Sequence, residues 1–212
     1  MLDSILGPQP AALPGPSETA LRDGAAGVLA ERFGRRGEPG VWVFAYGALL
    51  WQHPDECDAV HPGRVEGLTR RYCLRDERNR GTPGQPSLTL GLVPGSEPCD
   101  GAAIHLPENG LRESFWTVWT QEMTAGAYRA RWVEVETAHG TFDALTFVAD
   151  PAHPLYAGTP SDEEVAGILA VTDGSGGTAA SYLAKTVGAL QGLGLRDARL
   201  EGLQARVTTL LG

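Results

Sequence analysis

Glu122 is the carboxylate whose position most invites chemistry. Wound as a helix at 100° per residue, residues 111–123 place Leu111, Phe115, Val118 and Trp119 on one face. Glu122 falls within that apolar stripe, with Trp116 and Met123 extending it on one side. A carboxylate beside aromatic rings is partly desolvated, which raises its pKa and makes it a better base. The ordinary alternative is a solvated glutamate, or one paired with Arg129 or Arg131. Two further features could serve such a base. The segment Tyr46-Gly47-Ala48-Leu49 ends a continuous apolar run. Glycine there permits a tight turn, and successive backbone N–H groups of a turn can cradle a carboxylate or a developing oxyanion. A plain strand-ending turn would read the same way. Arg80 opens the turn Arg80-Gly-Thr-Pro-Gly84 between two strands, where its planar fork could clamp a substrate carboxylate. A surface arginine in a loop is the alternative.

Other chemistries find no support. The five histidines show no His-Glu-x-x-His spacing, and no Gly-x-Ser-x-Gly elbow is present. The segment Asp173-Gly-Ser-Gly-Gly-Thr178 has the glycines of a phosphate loop but lacks its lysine. It reads as a flexible connection leading to a helix. The three cysteines, Cys57, Cys73 and Cys99, have no metal-ligand spacing and no disulfide framework. A reducing, cytoplasmic setting is expected. The formal net charge of −9 disfavours nucleic acid and anionic membrane as partners. The first residues lack the pattern of a signal peptide, and no apolar run is long enough to span a bilayer.

The elements that must position these residues follow from spacing. At 212 residues the chain suits one domain with an extension. Four prolines among residues 1–16 predict a mobile arm. Ser17 caps a helix ending near Phe33, and residues 37–40 form a linker, so residues 1–40 are expected as an N-terminal arm with one helix. The main domain is expected over residues 41–212. Val41 to Tyr46 reads as a strand buried on both faces. Further strands are expected at 63–74, 87–93, 101–106, 128–137 and 141–149. Helices are expected at 111–123, after the capping box Ser161-Asp-Glu-Glu164, at 179–193 before Gly194, and after Asp197. Strands in the middle and helices in the last third indicate an α+β fold, and enough short strands are present for a small barrel.

Taken together, these segments resemble the ChaC-like γ-glutamylcyclotransferases. The family's glycine loop looks like Val43-Phe-Ala-Tyr-Gly-Ala-Leu-Leu-Trp51. Arg71-Tyr-Cys-Leu, Arg80-Gly-Thr-Pro83 and Leu88-Thr-Leu-Gly-Leu92 are similar to its next blocks. Gln121-Glu-Met123, followed by Gly126 and Tyr128, corresponds to the motif that holds its catalytic glutamate. His153-Pro-Leu-Tyr-Ala-Gly158, Tyr182-Leu-Ala-Lys-Thr-Val187 and Leu193-Gly-Leu-Arg-Asp197 continue the match to the C-terminus. Ala48 stands where the family usually has Ser, Gln121 where it has Arg, Arg78-Asn79 where it has aromatic or His residues, and Ala179 where it has Asn. The resemblance implies a mixed sheet closed or nearly closed into a small barrel with flanking helices. It implies cleavage of glutathione to 5-oxoproline and cysteinylglycine, with Glu122 as catalytic base. It also implies substrate contacts from Ala45, Tyr46, Gly47, Ala48, Leu49, Leu50 and Arg80, a small-molecule substrate, and no metal or other cofactor. A cyclotransferase for another γ-glutamyl amine or dipeptide, or a non-catalytic binding protein on the same fold, are the alternatives.

Overall fold

The computed structural model describes residues 14–33 and 40–212. Most of the expected arm and linker, residues 1–13 and 34–39, lie outside the described residues. Helix α1 (Glu18–Phe33) begins at Ser17, whose Oγ accepts from the Ala20 N–H at 3.2 Å. Leu21 and Ala25 of α1 enter the main hydrophobic core.

Seven strands follow: β1 (Val41–Ala45), β2 (Ala59–Val65), β3 (Leu68–Asp76), β4 (Ser87–Pro94), β5 (Cys99–Leu106), β6 (Tyr128–Thr137) and β7 (Gly140–Ala149). Five of them form a ring in the order β1-β5-β2-β6-β7. Four contacts in the ring are antiparallel, and a short parallel pairing of Trp42 with Ala144 and Val43 with Leu145 closes it. The sheet therefore closes, as the barrel expectation required. The β3–β4 hairpin leaves the barrel through a parallel contact between Leu92 and Val148. One expected strand is divided. The run read as 63–74 is the end of β2 and most of β3, separated at Gly67, whose φ of +74° turns the chain. A bulge at Cys73 kinks β3 near the barrel mouth.

Helix α2 (Leu111–Met123) lies between β5 and β6 and packs on α1, where the Arg22 guanidinium sits 4.8 Å over the Trp116 ring. Its buried residues are Leu111, Ser114, Phe115, Val118 and Trp119, the face expected from the helical period. The C-terminal third holds α3 (Asp162–Val171), α4 (Ala179–Gly192) and α5 (Ala198–Leu211). Ser161 and Glu164 form the expected capping box, and Asp197 caps α5 through the Leu200 N–H at 3.0 Å. The glycine segment before α4 is more ordered than a flexible connection. It forms a hairpin of β8 (Asp173–Gly174) and β9 (Gly177–Thr178), because its backbone is tied to the turn that follows β3. Among the described residues no helix is long and apolar enough to cross a membrane.

Candidate active site

Three elements end together at one mouth of the barrel. β1 runs out at Tyr46, α2 ends just after Glu122, and β6 begins at Tyr128 beside the last residue of β7, Ala149. Tyr182 reaches the same place from α4. Between them lies a pocket of about 520 Å³ lined by Tyr46, Gly47, Ala48, Leu49, Arg80 and Glu122, among others. Six of the eight residues singled out from sequence thus meet in one cavity. Ala45 and Leu50 do not line it. Successive strand residues face opposite sides, so with Tyr46 turned to the pocket, Ala45 is enclosed in β1 against Ala102 of β5. Leu50 closes the turn into the hydrophobic core.

Glu122 keeps part of its surface open, and it lines the cavity floor of aromatic and aliphatic groups. Desolvation pushes its pKa up to about 7, opposed only by a long hydrogen bond from the Gln121 amide at 3.4 Å. Among the described residues no basic side chain pairs with it: Arg129 is bound to Asp150 at 2.9 Å. Three tyrosines surround the carboxyl. The Tyr46 hydroxyl donates to the Phe147 carbonyl at 2.6 Å, and the Tyr128 hydroxyl to the Leu90 carbonyl at 2.7 Å. Burial first, and then the Glu122 charge among their neighbours, raises both pKa values well above the usual phenol range. Burial likewise pushes Tyr182 up to about 12, against hydrogen bonds with Thr89 and Leu90. All three stay protonated at neutral pH, so they can donate hydrogen bonds but do not supply a base.

The glycine turn is a single 3-10 turn over Ala48–Leu50. Its hydrogen bonds come from the N–H groups of Leu50, Trp51 and Gln52. The Ala48 and Leu49 N–H groups, at the open start of the turn, have no acceptor among the described residues. Gly47 leaves a tight fit: a Cβ there would lie 3.0 Å from the Tyr182 hydroxyl, which would have to give by a few tenths of an ångström.

Arg80 is only 7% exposed, yet its guanidinium has no carboxylate partner among the described residues. It lies over the rings of Tyr182 and Trp51, 5.3 and 5.8 Å from their centroids. Its turn is braced from two sides. Asp76 Oδ1 accepts from the N–H groups of Arg78 and Asn79 at 3.0 and 2.8 Å, and Oδ2 from that of Arg80 at 3.1 Å. From the other side, the Gly176 N–H donates to the Asn79 carbonyl at 2.8 Å and Ser175 Oγ to the Arg78 carbonyl at 2.8 Å. A Cβ at Gly176 would meet Arg80 Nη1 at 2.8 Å, so any side chain there displaces the guanidinium.

Sequence reasoning did not assign Asp76, Tyr128, Tyr182 or Gly176 to the site. Tyr182 had a usable signal, since it shares a helical face with the core residues Leu183 and Val187. Asp76 had none, because three N–H groups converge on it only once the turn has formed. Among the described residues no group of three or more His, Cys, Asp or Glu could hold a metal ion.

A family model described as "ChaC-like protein" matches residues 41–210. A glutathione-specific gamma-glutamylcyclotransferase of Escherichia coli (strain K12) is 35% identical over 188 residues, which cover 88% of this chain and 81% of that protein. A glutathione-specific gamma-glutamylcyclotransferase 1 of Mus musculus is 28% identical over 182 residues, 82% of each chain. The crystal structure of a yeast gamma-glutamyl cyclotransferase specific to glutathione superposes with a TM-score of 0.74 at 20% identity. That superposition covers 81% of this chain and 97% of the yeast one and shows a shared fold.

Proposed function

The chain belongs to the ChaC-like family, and on that premise we propose that it is a glutathione-specific γ-glutamylcyclotransferase acting in the cytoplasm. The observation that carries this reading is Glu122: a carboxyl held near pKa 7 in a pocket that also offers two backbone N–H groups and a buried arginine without acceptor or carboxylate partner among the described residues. In glutathione the α-amine and the γ-carbonyl belong to one glutamyl unit and can close a five-membered ring. Folding that unit so that the two groups meet supplies much of the rate. Arg80 receives the α-carboxylate and so fixes the amine beside it.

Glu122 takes a proton from the α-ammonium. The freed nitrogen attacks the γ-carbonyl carbon, and negative charge moves to the carbonyl oxygen, where the Ala48 and Leu49 N–H groups receive it. Collapse of this intermediate breaks the bond to the cysteinyl nitrogen. The proton held by Glu122 passes to that departing nitrogen, and the ring nitrogen gives up its own second proton, through the freed Glu122 carboxylate, to the same amine, which leaves as an ammonium. The products are 5-oxoproline and cysteinylglycine, and no water is consumed, so the reaction is a lyase-type elimination of the amine. A carboxyl of pKa about 7 suits both proton steps, because it is readily ionised and readily protonated near neutral pH. Three free cysteines, none in a disulfide, support the cytoplasmic reading.

The test is incubation of the purified protein with glutathione and with several γ-glutamyl amino acids, followed by chromatographic assay of 5-oxoproline. Release from glutathione is expected. Release only from another γ-glutamyl compound would overturn the substrate, and release from none would overturn the reaction.

A further inference from the structure

Six side chains of ionisable acid or base type other than tyrosine line the pocket: Arg75, Asp76, Glu77, Arg78, Arg80 and Glu122. Four of them are committed. The Asp76 oxygens accept three backbone N–H groups. Glu77 faces Arg75, with Oε1 3.8 Å from Nη1. Glu122 is the base. Arg78 and Arg80 remain, two guanidinium groups with no carboxylate partner among the described residues. They differ in depth. Arg80 is buried against Tyr182, whose hydroxyl feels the Glu122 charge. Arg78 is exposed. Its backbone is nonetheless fixed, with the N–H bound to Asp76 and the carbonyl to Ser175.

A γ-glutamyl peptide carries a carboxylate at each end. Ring closure puts the first beside the attacking amine, next to Glu122 and hence at the inner arginine. The second belongs to the departing fragment and must lie farther out. We propose that Arg78 is a specificity-determining residue that receives this outer carboxylate. The pocket would then select γ-glutamyl peptides with a free C-terminus over γ-glutamyl amines and C-terminal amides. This rests on the cyclotransferase reading of the same pocket.

The experiment compares the parent with Arg78→Gln and Arg78→Lys, measuring 5-oxoproline release from glutathione and from glutathione amidated at its glycine carboxylate. Arg78→Gln should raise KM for glutathione about fivefold, near the upper end for a charge pair open to solvent. Its kcat, and its KM for the amide, should stay at the parent values. Arg78→Lys should recover part of the loss, and the difference should shrink at high ionic strength. Equal changes for the two substrates, or no change for glutathione, overturn the role of Arg78 while leaving the reaction standing. A parent that releases 5-oxoproline from neither compound overturns both.

Discussion

Replacing Glu122 by Gln should do two opposite things: remove turnover and stabilise the fold at alkaline pH. The carboxyl ordinarily titrates near 4.5 and is pushed up to about 7 by desolvation. The protonated form is therefore the one the folded protein prefers. Below pH 4.5 burial of this group carries no ionisation penalty. The penalty grows as pH rises from 4.5 and is fully present above about 7, where the group is charged in both states. The displacement corresponds to about 3 kcal/mol. Gln has the same shape and no charge, so it escapes that penalty. Relative to a baseline at pH 4.5, the variant should gain about 3 kcal/mol on the parent by pH 8. For a chain of this size that is roughly 6 to 12 °C in melting temperature. Catalysis should move the other way. The ionised, base form of Glu122 makes up roughly a tenth of the protein at pH 6 and nine-tenths at pH 8, so kcat/KM of the parent should rise about tenfold over that interval. Glu122→Gln should lose at least about 10²-fold in turnover at every pH. Calorimetric melts from pH 4.5 to 8, run beside the 5-oxoproline assay, read both effects. A folded variant with near-parental turnover would refute the base. A stability gap that stays flat with pH would refute the desolvated carboxyl from which its basicity is argued.

Two further perturbations address the turn that carries Arg80. Gly176→Ala places a methyl 2.8 Å from Arg80 Nη1 and 3.1 Å from the Asn79 carbonyl. The guanidinium must shift, at a cost of about 1–3 kcal/mol, and steady-state kinetics should show KM rising about tenfold with a smaller change in kcat. Asp76→Ala strips three N–H groups of their acceptor. It should destabilise the protein by about 2 kcal/mol in urea titrations and raise KM, with Asp76→Asn recovering part of both.

Glu122 was legible because helical phase is local: four spacings within thirteen residues place it on the apolar face, and the fold keeps that face buried. The glycine turn was legible because Gly47 interrupts an unbroken apolar strand. Barrel closure was not, because it rests on a two-pair parallel contact between Trp42–Val43 and Ala144–Leu145, about a hundred residues away. Spacing along the chain carries no signal for such a pairing. The division of β2 from β3 hid for a different reason. Glu66 and Gly67 offer only one glycine to mark the turn, and the residues on either side keep strand character. The hairpin before α4 looked loose because its order is borrowed: Asn79 and Arg78 supply the partners for Gly176 and Ser175.

The way the barrel closes also sets a schedule for synthesis. Val41–Ala45 is a fully buried apolar strand, but its antiparallel neighbour β5 ends at Leu106 and its parallel neighbour β7 begins only at Gly140. On a ribosome adding about 5–20 residues per second, the β7-facing edge of β1 stays uncovered for roughly 5 to 20 s after it emerges. During that interval a greasy, unpaired strand edge is open to other chains. Yield in cells should accordingly depend on chaperone supply and growth temperature more steeply than the equilibrium stability of the finished barrel would indicate.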